Sequence, residues 1–275
     1  MFQLLAIAFT VGCATTLGAL PVLVSRELSR AHYDTMLGLG AGLMLAAATL
    51  GLLPEALVGV RVGGVVHAPL FALVLAGFCG GVALLFGMDR MIPHIHAGGH
   101  EAHLHDHAHG HAHDHAHGND HAHDDRARHQ GIMIVGAMAL HRLPEGFAIG
   151  AAFGDTGAVP LGVMLAVAVG LQNAIEGAVM AAPLKRGGLG RARLIALVTA
   201  TGMAVPIAAV IGFHVARHVA GALPFMLAVG AGALIYLACN EIIPESHSHG
   251  NERRATFGLL AGVVGIMVLK VLAGE

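Results

Sequence analysis

Apolar runs of transmembrane length recur along almost the whole chain, and nothing else constrains its fold as strongly. A helix needs about 20 apolar residues to cross the hydrocarbon core of a bilayer. Eight windows meet that need: 2–24, 35–58, 68–88, 131–153, 159–183, 194–216, 221–243 and 255–273. The runs are continuous and do not alternate, which favours helices over a barrel. The chain has 275 residues, 56% hydrophobic and 12% charged, with a mean hydropathy of +0.72. A soluble domain carries about 25% charged residues. The fold class predicted is an all-α integral membrane protein with eight transmembrane helices. The 39 glycines point to close helix–helix approach. The net charge of −2 offers no basic face for nucleic acid.

Basic residues orient the chain. The segments after spans 1, 3, 5 and 7 hold Arg26, Arg30, Arg90, Arg126, Arg128, Lys185, Arg186, Arg191, Arg193, Arg253 and Arg254. The opposite segments and tail hold Arg61, Arg217 and Lys270. This asymmetry predicts both termini on the extracytoplasmic side of the cell's plasma (inner) membrane. Residues 1–93 then carry helices 1–3, 94–130 form a cytoplasmic loop, and 131–275 carry helices 4–8, all in one membrane domain. The N-terminus reads as the first span rather than a signal peptide. Cys13, Cys79 and Cys239 show no CxxC spacing and read as small buried hydrophobes.

Two motifs carry the chemistry. His141-Arg-Leu-Pro-Glu145-Gly and Gln172-Asn-Ala-Ile-Glu176-Gly lie within apolar runs. Each sets a polar residue four positions before a glutamate, on one helix face. Ionisable groups at membrane depth are costly and mark ion or proton pathways. Two such faces meeting would hold a cation. Pro144 removes a backbone donor and frees the Leu140 carbonyl. Arg142, also inside this run, cannot lose its proton and cannot be a metal ligand.

Residues 94–129 contain 14 histidines, many in the pattern His-Ala-His-Asp. Such a segment cannot bury a core and is expected to be disordered. Neutral imidazole binds zinc, copper, nickel and iron, so His103, His105, His107, His109, His111, His113, His115 and His117 are expected to bind metal in interchangeable sets. Span 7 runs into Asn240, Glu241, Pro244, Glu245, His247 and His249. Glu241 and Glu245 share a face and suit a relay for a cation, while His249 reads as a solvated residue of the helix end. Asp89 and Glu55, at helix ends, read equally well as pathway residues or as merely wet. No HExxH, Walker A loop or Ser-His-Asp set is evident. An intramembrane metalloprotease site would need three good ligands, an open position and a general base, and no residue stands out as the base. The chain is not expected to be an enzyme or to need a cofactor.

These features together resemble the ZIP (Zrt/Irt-like protein) family of metal transporters, most closely its bacterial GufA-type branch. The resemblance covers essentially the whole chain: the spans, the His-rich segment between spans 3 and 4, the two Glu-Gly motifs, and Glu-Ile-Ile-Pro-Glu-Ser-His at 241–247. It implies import of divalent transition-metal ions into the cytoplasm, zinc first, with iron, manganese or cadmium as alternatives. It implies a central site between helices 4 and 5, with His141, Glu145, Gln172 and Glu176 as ligands. It implies alternating access in an elevator-type bundle, spans 1, 4, 5 and 6 sliding against 2, 3, 7 and 8, and it suggests a homodimer. A second family site maps less well. Arg142 stands where asparagine is usual, Asn173 falls at a ligand position, Val205 replaces a glutamate, and Asn240 replaces a histidine before Glu241. Arg142 is therefore expected to occupy the second ion's space and leave a mononuclear site. An exporter with a His-rich loop and a membrane metal sensor are the rival readings. Exporters of the cation diffusion type carry six spans and His/Asp tetrads, which are not seen.

Overall fold

The computed structural model describes residues 1–24, 29–58, 60–62, 65–91, 136, 139–186, 188–219 and 221–272. The described residues are helical almost throughout. Helix α1 covers Phe2–Val24 and α2 covers Arg30–Ala56. A two-residue ladder, β1 (Arg61–Val62) antiparallel to β2 (Val65–Val66), turns the chain into α3, Ala68–Met91. Then follow α4 (Leu143–Gly154), α5 (Val159–Arg186), α6 (Arg191–His218), α7 (Ala222–Ser246) and α8 (Glu252–Leu272). Seven helices among the described residues are long and apolar enough to cross a membrane. Much of the run expected at 131–153 and all of 94–130, with its histidines, lie outside the described residues.

Helix ends depart from the apolar windows for a physical reason. α2 starts at Arg30, where Ser29 caps it by accepting from the His32 N–H, although hydropathy begins near residue 35. α7 continues to Ser246 because Glu241 and Glu245 end the apolar run but not the helix. Both α2 and α7 widen into a π-helical segment, Ala47–Leu52 and Ala238–Ile242, just before a proline, Pro54 or Pro244. Proline cannot donate to the carbonyl four residues earlier, and the ladder opens there. The carbonyl freed by Pro54 belongs to Leu50. The Lys270 ammonium of α8 donates to it at 2.6 Å.

The helices pack as two groups of four. In one, α1 pairs with α5 and α6, and α4 with α6 and α5. In the other, α2 pairs with α8, and α3 and α2 with α7. The groups touch along α4–α7 and α2–α5. Lipid tails give helices no hydrophobic reason to associate, so close packing must do it. Many large apolar side chains, among them Phe9, Leu17, Ile207, Phe257 and Val271, face outward, which suits a bilayer and not water.

Two sequence expectations are corrected. The three cysteines are unpaired, but Cys79 and Cys239 are exposed rather than buried. A lipid-facing position is as apolar as an interior one, so apolar context does not report burial. His249 is not a solvated end residue. Its Nδ1 lies 3.0 Å from Oδ1 of Asp34, which is fully buried and also accepts from Asn251 at 2.9 Å. This tie joins the start of α2 to the turn after α7.

Candidate metal site

Local sequence builds the site. Residues 139–141 are helical, the helix breaks at Arg142, and α4 begins at Leu143 with Pro144 in its first turn, where the missing N–H costs nothing. Glu145 sits in that same turn, where free backbone N–H groups favour a carboxylate. α5 runs unbroken through Gln172, Asn173, Glu176 and Gly177. The glycine after each glutamate is required by packing. A Cβ on Gly146 would fall on the Val205 carbonyl of α6, and one on Gly177 on the Thr15 carbonyl of α1. Each Glu-Gly pair thus supplies one carboxylate to the site and one point where a neighbouring backbone fits.

Glu145, Gln172 and Glu176 meet. The Gln172 side-chain amide donates to Glu145 Oε1 at 2.6 Å and to Glu176 Oε1 at 3.0 Å. The other Glu176 oxygen, Oε2, accepts from Arg142 Nη2 at 2.9 Å, and Arg142 Nη1 donates to Thr15 Oγ1 at 2.9 Å. Glu145 and Gln172 are 2% and 1% exposed. Three buried polar atoms here have no partner: Glu145 Oε2, Arg142 Nε and Asn173 Oδ1. The rest of Asn173 faces α1, donating to the Val11 carbonyl at 3.2 Å. A buried carboxylate oxygen left bare is expensive, and a cation would satisfy it.

His141 belongs to a neighbouring cluster. Its Nε2 lies 3.5 Å from Asp89 Oδ1 and 3.8 Å from Glu241 Oε1. Among the described residues these three offer ligand atoms all within 4.8 Å of one another. Asn240 steadies the group by donating to Asp89 Oδ2 at 3.3 Å. Side-chain exposure rises outward, from 11% at His141 to 19% at Asp89 and 31% at Glu241. Asp89 sits at the end of α3 and His141 just before α4, so this cluster lies where the histidine-rich segment joins the bundle.

The remaining candidates sort by position. Glu245 approaches His249 Nε2 at 3.9 Å, while His247 is bonded to the Ile243 carbonyl, Ser246 and Thr256. Neither joins the central groups. His103, His105, His107, His109, His111, His113, His115 and His117 lie outside the described residues. Thr15 carries no signal in sequence, being one hydroxyl in an apolar helix. Asp89 carries a weak one, an acid near a helix end, and only folding brings it to His141.

Fold and composition define a multi-pass helical membrane protein. The particular family follows from comparison with known sequences. A model of the ZIP zinc transporters matches residues 2–270, and the chain belongs to that family. It is 35% identical over 269 residues to the zinc transporter GufA of Myxococcus xanthus, covering 96% of each chain. It is 35% identical over 266 residues to the zinc transporter ZIPB of Bordetella bronchiseptica, covering 95% of this chain and 78% of that one. A zinc transporter ZupT of Corynebacterium aurimucosum is 27% identical over 264 residues.

Proposed function

We propose that this protein imports divalent transition-metal ions, zinc first, into the cytoplasm. One observation carries the reading. A carboxylate from α4 and one from α5 are drawn together inside the bundle by a single amide, and one of their oxygens is bare. The relatives named above are zinc transporters, which favours zinc as the ion.

In this reading the ion enters from the extracytoplasmic side and is held by Glu145, Glu176 and Gln172. One amide oxygen and two carboxylates form an oxygen set open to zinc, iron(II), manganese or cadmium. The ion then passes to His141, Asp89 and Glu241, and on to the loop histidines. The rising exposure from Glu145 to Glu241 supports a path along these residues. The two groups of four helices move against each other to open one side at a time, in a bundle of eight spans with both termini outside. Arg142 leaves room for one ion only.

The test is uptake of radioactive zinc by proteoliposomes holding wild type or Glu145→Gln. The variant keeps the shape of the side chain and its bond to Gln172 but lowers the site's charge. Uptake by wild type and its near-complete loss in folded Glu145→Gln is the expected result. Equal uptake by both would remove the ion from this site. In cells, expression should raise total zinc, whereas an exporter would lower it.

A further inference from the structure

We infer that Arg142 is a tethered competitor of the transported ion: its guanidinium holds Glu176 while the site is empty, must yield when the ion binds, and returns to help drive the ion off. What the ion is rests on the transport reading above, whereas the competition itself rests on geometry. The Arg142 side chain is 1% exposed, on a turn between two helical stretches. Arginine stays charged under all physiological conditions, so it never becomes a ligand.

Both Glu176 oxygens are taken, Oε1 by Gln172 and Oε2 by Arg142. A cation that uses Glu176 therefore meets a partner at either oxygen. Gln172 is neutral and carries an oxygen that a cation welcomes. Arg142 is the partner that a dication repels. With both carboxylates ionised, as metal binding requires, they and one guanidinium carry one negative charge. A dication with Arg142 still on Glu176 brings it to one positive charge, and drawing the guanidinium back toward Thr15 lowers the repulsion with distance. Charge excess in a buried site is costly, several kcal/mol per unit pair at contact distance even at an effective dielectric constant of about 20.

The second bond explains how the competitor can return. Nη1 is held by Thr15 of α1 at 2.9 Å. A guanidinium that lets go of Glu176 stays anchored a bond's length away. Its Nε lacks a partner even now, so the residue is incompletely satisfied in the empty state and can rearrange without breaking a full set of bonds. An arginine fixed purely for structure would be expected to use more of its five donors.

Zinc uptake by proteoliposomes of wild type, Arg142→Gln and Arg142→Lys tests this. Arg142→Gln should lower KM by about tenfold or more, and Vmax should fall with it because release slows. Arg142→Lys keeps the charge but loses the fork that reaches Glu176 and Thr15 together, and its KM should fall between those of wild type and Arg142→Gln. An unchanged KM in folded Arg142→Gln overturns the inference, as does a shift of equal size in Arg142→Lys. Should Arg142→Gln not fold, infrared difference spectra of the full-length wild type with and without zinc decide the matter. The guanidinium band should shift on zinc addition, and the shifted band should be missing from Arg142→Lys. A band that zinc leaves in place overturns the competition. Wild type that takes up no zinc would sink the transport reading instead, with the infrared result still judging the pair.

Discussion

Gly177 shows how much one missing methyl group can matter. A Cβ added there would fall on the Thr15 carbonyl of α1, and Thr15 in turn holds Arg142 through its hydroxyl. Gly177→Ala should push α1 from α5, destabilising the protein by about 1–3 kcal/mol, the usual cost of overpacking, and should disturb Arg142 as well. Thermal unfolding in detergent checks this, with Gly80→Ala as the control, since nothing lies near that position. At this scale the sequence is informative where chemistry and periodicity coincide. The four-residue spacing marks Glu145, Gln172 and Glu176, and all three meet. His141 shares the spacing but turns to Asp89 and Glu241. Spacing says which face a residue is on and not which of two neighbours it chooses. Asp89 could not be recognised alone, because a carboxylate near a helix end is cheap and its partners come from distant parts of the chain.

Among the elements, α2 and α7 are the irregular ones. Each holds a π-helical segment just before a proline, which frees a carbonyl four residues back. For α2 the answer is Lys270, reaching across from α8 to Leu50. Lys270→Met keeps the length of the side chain and removes the donor. It should cost about 1–3 kcal/mol, the penalty for a buried group left unpaired, and should lower the midpoint of thermal unfolding. Lys270→Arg should recover most of the loss. Hydropathy reveals these helices but not their ends or their bulges. Polar residues such as Arg30 and Glu245 are helical, and the apolar windows stop short of them. The prolines hint at a disturbance, while the π form depends on packing that no local pattern encodes.

Across the whole molecule, the boundary between the two four-helix groups is where transport must leave a mark if the groups slide. Gly40 of α2 and Ile175 of α5 face each other there, with a Cβ built at Gly40 3.8 Å from a methyl of Ile175. Cysteines at both positions, in a chain stripped of Cys13, Cys79 and Cys239, bring two thiols to this contact. Oxidation should stop zinc uptake, and reduction should restore it. Uptake that continues in the fully crosslinked protein would show that the groups do not shift along this seam. The division into α1, α4, α5, α6 and α2, α3, α7, α8 could be expected from family likeness. It could not be read from composition, since every helix is apolar and rich in small residues.

Gln172 now offers its nitrogen to two carboxylates. A cation would want the oxygen instead. Every ion that settles between Glu145 and Glu176 must therefore be met by an amide that rolls over, and every departure lets it roll back. In the proposed transport cycle the central glutamine is a latch with two faces, one for the vacant chamber and one for the guest, and each passage includes its turning.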